Sequence, residues 1–114
     1  MRLKAGIWIK AYIRRLASEG VMAVVVRHGD DDAGAVFIRV NRLDGSSNLF
    51  GPAPAGLDEA QMERPMMALF DGRPVRDEEA DDYLERQRSF DSDLWIVEVE
   101  SRDGRHYLDD WLLR

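Results

Sequence analysis

The sequence predicts an α+β fold: a largely antiparallel sheet of 4-5 strands with two main helices, in the order α-β-β-β-(β)-α-β. Three observations carry this expectation. Two segments, 5–19 and 75–90, repeat apolar residues at helical spacing. Three strand-like runs follow the first of them, the first of these β-branched, separated by Gly- and Asp-rich turns. A last run, 94–100, alternates with period two. The chain of 114 residues is expected to form a single globular domain over 1–114.

In the first helix, Ala5, Ile9, Tyr12, Ile13 and Leu16 share one stripe, and Lys10, Arg14, Arg15 and Ser18 lie away from it. Gly20 is the expected left-handed stop. Leu3, Ala5, Ile7 and Ile9 also alternate, so residues 3–9 have a second reading as a strand leading into a shorter helix. Ile7 would fall on the polar side of a full helix, which favours that second reading.

Val21–His28 is β-branched and apolar on both faces, the pattern of a central strand covered on both sides. Gly29–Gly34 is a turn, Ala35–Asn41 the return strand, Asp44-Gly45 a second turn and Ser47–Phe50 a third strand, together a meander. Gly51–Gly56 reads as a loop that cannot continue a strand. Leu57–Arg64 is expected to hold one helical turn, and Pro65–Phe70 an edge strand with proline at its first position. In the second helix, Val75–Phe90, Asp77 is the expected cap. Glu78 and Glu79 suit its first turn, and Arg86 and Arg88 its last. Ala80, Tyr83, Leu84 and Gln87 form its inward stripe, and Asp82 and Arg86 are spaced to pair. In Leu94–Glu100, Trp95, Val97 and Val99 face one way and Leu94, Ile96, Glu98 and Glu100 the other, so the strand enters a covered region and leaves it. Leu108, Trp111 and Leu112 suggest a terminal helical turn docked by Trp111.

Composition excludes several classes of function. There is no cysteine, so disulfides, thiolate metal sites and thiol nucleophiles are out. Lys10, Arg14 and Arg15 interrupt the apolar run after the basic start, so no signal peptide or membrane span is predicted and the cytoplasm is the expected compartment. The net charge of −6 is unevenly spread: residues 1–28 hold six Lys/Arg against one acid. An acidic whole disfavours nonspecific nucleic-acid binding, although Lys4, Lys10, Arg14 and Arg15 would be its footprint.

Three stretches carry a resemblance: Ile7–Arg15; Val24–Asp30 with Ala33–Val36; and Arg86–Glu100. On these the chain resembles an uncharacterised bacterial family, domain of unknown function 1491. The family pattern has a proline between Asp91 and Asp93, where this chain has Ser92. The resemblance implies no activity, cofactor or binding residue.

The residues themselves offer four candidate sites. Asp30, Asp31 and Asp32 fail the spacing of a calcium loop, since Gly34 and Asn41 stand where ligands are needed, so the segment is assigned to a solvated turn. His28, Glu98 and Glu100, with Asp91 upstream, are the weak candidates for acid–base chemistry or for a metal-dependent hydrolase or nuclease using carboxylates of the 91–100 segment; the alternative is an exposed strand face. A pairing of His28 with His106 through Asp30 or Asp109 is also conceivable from composition. Arg86, Arg88, Phe90, Asp91, Asp93 and Trp95 form the densest polar and aromatic cluster. It reads as a helix-to-strand corner, with Phe90 packed on Trp95 and an arginine paired to an Asp, or as an interaction patch. No metal and no cofactor are predicted. The preferred expectation is a non-enzymatic accessory or interaction domain, a homodimer through an edge strand or one with an unidentified protein partner.

Overall fold

The computed structural model describes residues 3–54 and 64–112. Two helices, α1 (Ala5–Ser18) and α2 (Asp77–Phe90), cover opposite faces of one six-stranded sheet. Its strands are β1 (Ala23–Arg27), β2 (Val36–Asn41), β3 (Ser46–Pro52), β4 (Met66–Ala68), β5 (Val75–Arg76) and β6 (Trp95–Glu100). Their spatial order is β1-β6-β2-β3-β4, with β5 also on β3. Every pairing is antiparallel except β2 with β6.

Residues 3–9 resolve in favour of the helix, which begins at Ala5. Its apolar face is Ala5, Trp8, Ile9, Tyr12 and Leu16, all buried against Val36, Ile38, Val40, Val97 and Val99. Gly20 ends it at φ 74°. The Gly20 N–H donates to the Ala17 carbonyl and the Val21 N–H to the Leu16 carbonyl, which closes the last turn. The other face of the sheet buries Phe37, Leu49, Leu94 and Ile96 beneath Ala80 and Leu84 of α2.

The predicted meander does not form. β6 lies between β1 and β2, antiparallel to the first and parallel to the second. Consecutive strands usually neighbour each other, but the connection over 28–35 is long enough to step across a third strand. β6 enters beneath it. The Asp30 N–H donates to the Asp93 carbonyl at 2.9 Å, the Trp95 N–H to the Ala35 carbonyl at 2.7 Å, and the Trp95 indole to the Asp30 carbonyl at 2.8 Å. Gly29 and Gly34 make this passage possible: a Cβ on Gly29 would collide with the Asp93 carbonyl and lie 2.6 Å from the carbonyl carbon of Leu94.

The covered central strand is therefore β6, not Val21–His28. β1 is an edge strand, with Met22, Val24, Val25 and Val26 exposed. An apolar, β-branched run is equally compatible with a buried strand and with an uncovered edge, and only topology separates them. β6 becomes half-buried at Glu98 and exposed at Glu100, as its alternation predicts.

The expected loop at 51–56 begins later, because β3 runs through Gly51 and Pro52. Gly51 fits there because Phe37 packs where its Cβ would be. The edge strand expected in 65–70 is present as β4. The helical turn expected at 57–64 lies, but for Arg64, outside the described residues. Asp77 is not the cap of α2. Arg76 holds that position without a side-chain hydrogen bond, and Asp77 opens the helix with its carboxylate turned to the sheet. The Asp82–Arg86 pair is not formed; Arg88 pairs with Glu85 instead.

The C-terminal segment closes the α1 side. Trp111 packs edge-on against Trp8 at 5.2 Å, and Trp8 stacks on Tyr12 at 5.2 Å. Each such aromatic pair is worth about 0.5–1.5 kcal/mol beyond the area it buries. The Tyr12 hydroxyl donates to the His106 carbonyl at 2.7 Å.

Two outcomes are expected. Gly29→Ala removes the clearance over β6 and lowers stability in urea denaturation by about 3 kcal/mol, the upper end for overpacking, because the obstruction is backbone. Burial pushes the Tyr12 phenol well above its ordinary range. The neutral form is thus favoured in the fold, while the unfolded phenol ionises near pH ~10. Tyr12 contributes its stability below that pH and loses it as pH rises further. Thermal unfolding followed by circular dichroism across this range falls with pH, and Tyr12→Phe flattens the fall.

Candidate functional site

The residues expected to carry chemistry are distributed over both sides of the sheet. His28, just past the end of β1, lies on the α1 side with its ring 4.0 Å from Trp95 and its Nε2 3.5 Å from Asp31. Glu98 lies on the α2 side, where Asn41 Nδ2 donates to it at 3.4 Å, and Glu100 is exposed at the end of β6. The sheet therefore separates His28 from Glu98. His106 is placed against Phe50, where its Nδ1 accepts the Leu108 N–H, and not beside His28. Among the described residues no three His, Asp or Glu side chains gather as metal ligands. The 30–32 segment is a turn in which Asp30 accepts the N–H groups of Asp32 and Ala33.

The 86–95 cluster divides at the corner. Asp91 accepts the Asp93 N–H and so shapes the turn. Trp95 is buried under α1, while Phe90 at the end of α2 is 84% exposed, so the two aromatics do not pack together. Arg86 is exposed, and Arg88 holds Glu85 rather than an Asp. The corner reaches β1 through Arg27, whose Nη2 donates to the Ser92 carbonyl at 2.7 Å.

A polar cluster that spacing alone does not reveal lies between β2, β3 and α2. Arg39 is only 11% exposed; it meets Asp77 at 3.2 Å, pairs with Asp81, and its Nε donates to Ser47 Oγ at 3.0 Å. The Ser47 hydroxyl donates in turn to Asp77 at 2.8 Å. Burial works to lower the Arg39 pKa, but the contacts with Asp81 and Asp77 and the nearby Glu98 charge offset it and hold the guanidinium above its ordinary range. The cluster is fully paired and fastens α2 to the sheet. Partners 38 and 42 residues apart in sequence give no local signal.

Two surface features remain open. The first is the outer edge of β1. The Glu100 N–H donates to the Met22 carbonyl. By the alternation of an antiparallel ladder, Val24 likewise turns its backbone toward β6, and Ala23 and Val25 turn theirs outward. A register shift between Val25 and Arg27 ends the flat edge. The opposite edge of the sheet is covered at Met66 of β4: its N–H donates to the Trp111 carbonyl, and it bridges Leu112. The second feature is a trough of about 470 Å³ between α1 and β1. Ile7, Ile9, Ile13, Val25 and Trp95 line it, with Lys4, Lys10, His28, Asp31 and Asp32 around the mouth.

Replacing Arg39 with Met takes the cation from Asp77 and Asp81 and the Nε donor from Ser47 Oγ, and leaves Asp77 only its contact with the Ser47 hydroxyl. Urea denaturation is expected to show a loss of about 2 kcal/mol, the size of a hydrogen-bonded charge contact that is partly open to water.

No helix among the described residues is long and apolar enough to cross a membrane. No curated protein matches the chain. Two solved structures of DUF1491 proteins from Caulobacter crescentus CB15 are similar to it. The crystal structure is 38% identical, covers 100% of both chains and has a TM-score of 0.79. The NMR structure is 39% identical, covers 100% of this chain and 99% of that one, and has a TM-score of 0.78. The solution structure of a structural-genomics target from A. tumefaciens is 42% identical over 89% of this chain and 87% of that one, with a TM-score of 0.74. The family model described as "Protein of unknown function (DUF1491)" matches residues 3–109, and the chain belongs to that family.

Proposed function

We propose that this chain is a single, non-enzymatic accessory domain of the cytoplasm that acts by pairing the β1 edge with a second copy of itself. The observation that carries the reading is the open edge of β1, with Val24 49% and Val26 58% exposed. A monomer rarely leaves such a strand uncovered, because it is a template for further pairing. The run Val21–Val26 has no charged side chain. It can therefore meet itself antiparallel across a two-fold axis without setting like charges opposite each other. Phe90 extends the surface, since its corner abuts the end of β1 through Arg27. Exposed aromatics beside arginines, here Arg86 and Arg88, are frequent anchors of binding energy. The hydrolase alternative built on His28, Glu98 and Glu100 has less support, because the sheet stands between the histidine and Glu98.

Sedimentation equilibrium tests this directly. The wild-type chain is expected to be a dimer at micromolar concentration. Val25→Pro removes an outward N–H without touching the β6 ladder, and is expected to give a folded monomer. Val24→Lys is expected to do the same by placing like charges across the axis, and Phe90→Ala to weaken association about tenfold. A wild-type chain that sediments as a monomer overturns the reading.

A further inference from the structure

The trough beside α1 has a chemical character that strand pairing does not use. We propose that it is a binding site for a small amphipathic monocarboxylate, with an apolar tail along Ile9, Ile13 and Val25 and its carboxylate at Lys10.

The charges at the mouth point to this class of ligand. Lys4 Nζ lies 3.7 Å from Asp32, and His28 Nε2 lies 3.5 Å from Asp31, so each of the two carboxylates at the mouth already has a neighbouring nitrogen. Lys10 also lines the trough, is exposed and has no carboxylate partner among the described residues. One ammonium with no carboxylate partner among the described residues matches one anionic group. The end of α1 does not compete for it: the Ala5 N–H donates to the Asp32 carbonyl and the Gly6 N–H to the Asp31 carbonyl.

The floor sets the rest of the ligand. Its side chains are aliphatic apart from Trp95, whose indole N–H is already committed to the Asp30 carbonyl. A polar tail would lose its water there and gain no partner, while an alkyl or aryl tail gains apolar contact. The volume of about 470 Å³ lies within the range of small-molecule sites. Ile7 supports the assignment, since it is a large apolar side chain left exposed on the lip of the trough.

The test uses the full chain with sodium octanoate, octan-1-ol and octylammonium chloride as probes. Trp95 fluorescence and backbone amide shifts supply the readout. Octanoate is expected to bind saturably, shifting Val25, His28 and the α1 amides, and about tenfold more tightly than octylammonium. Lys10→Gln lies on an exposed position, and is expected to lower octanoate affinity about tenfold while leaving octanol binding unchanged. Ile13→Trp fills the trough and abolishes both. Val24→Lys faces the other side of β1 and leaves octanoate binding intact, which separates this site from strand pairing. Equal affinity for the three probes, shifts outside the trough, or no saturable octanoate binding overturns the proposal.

Discussion

The structure depends on one steric constraint, the passage of β6 beneath the connection between β1 and β2. Gly29 and Gly34 permit backbone to lie against backbone there, and three hydrogen bonds between 30–35 and 93–95 close the passage. Without it, β1 and β2 would pair directly and β6 would have no slot. With it, β6 becomes the central strand, buried on both faces from Leu94 to Val97, and α1 and α2 gain separate apolar surfaces to cover. The same insertion pushes β1 to the margin. The open edge is thus a consequence of how the core is assembled.

The two margins of the sheet differ for a physical reason. On the β4 side, the chain returns after β6 and lays residues 106–112 across α1 and Met66, where Trp111 joins the Trp8–Tyr12 stack. On the β1 side no segment among the described residues does so. The connection to α1 leaves β1 from its start, and the 28–35 connection is occupied with β6. A valine-rich strand with outward N–H and C=O groups then faces water, a state that is lowered in free energy by adding a strand.

Much of this was legible locally. The 3.6-period stripe and Gly20 mark α1 and its end, and the alternation of Trp95, Val97 and Val99 against Leu94 and Ile96 marks a strand with two covered faces. Position in the sheet was not legible for Val21–His28. Its side chains report only that they are apolar, and burial is decided by β6, some seventy residues away. The Arg39 cluster was hidden for a related reason: Ser47, Asp77 and Asp81 share no periodicity with Arg39, and only α2 docking on the sheet joins them. Asp77 illustrates the conflict. At a helix start it reads as a cap, but a buried guanidinium offers it a charged partner, and that contact prevails. Phe90 and Trp95 are close in sequence, yet the turn shaped by Asp91 sends one to solvent and the other under α1.

At Ile7 the local pattern and the global fold disagree. An apolar side chain on the polar flank of an otherwise regular helix conflicts with the binary pattern, and such conflicts concentrate at functional or strained positions. The conflict can be resolved by rejecting the helix or by supplying the flank with a neighbour. The helix is intact, ends in a two-bond glycine cap and buries five residues, so the first resolution fails. The second leads to the trough, where Ile7 and Lys10 stand one helical turn apart on the same flank, over Val25 of the open edge. The mismatch in the pattern, the lysine without a carboxylate partner among the described residues and the edge strand therefore meet at one place on the molecule, between α1 and β1.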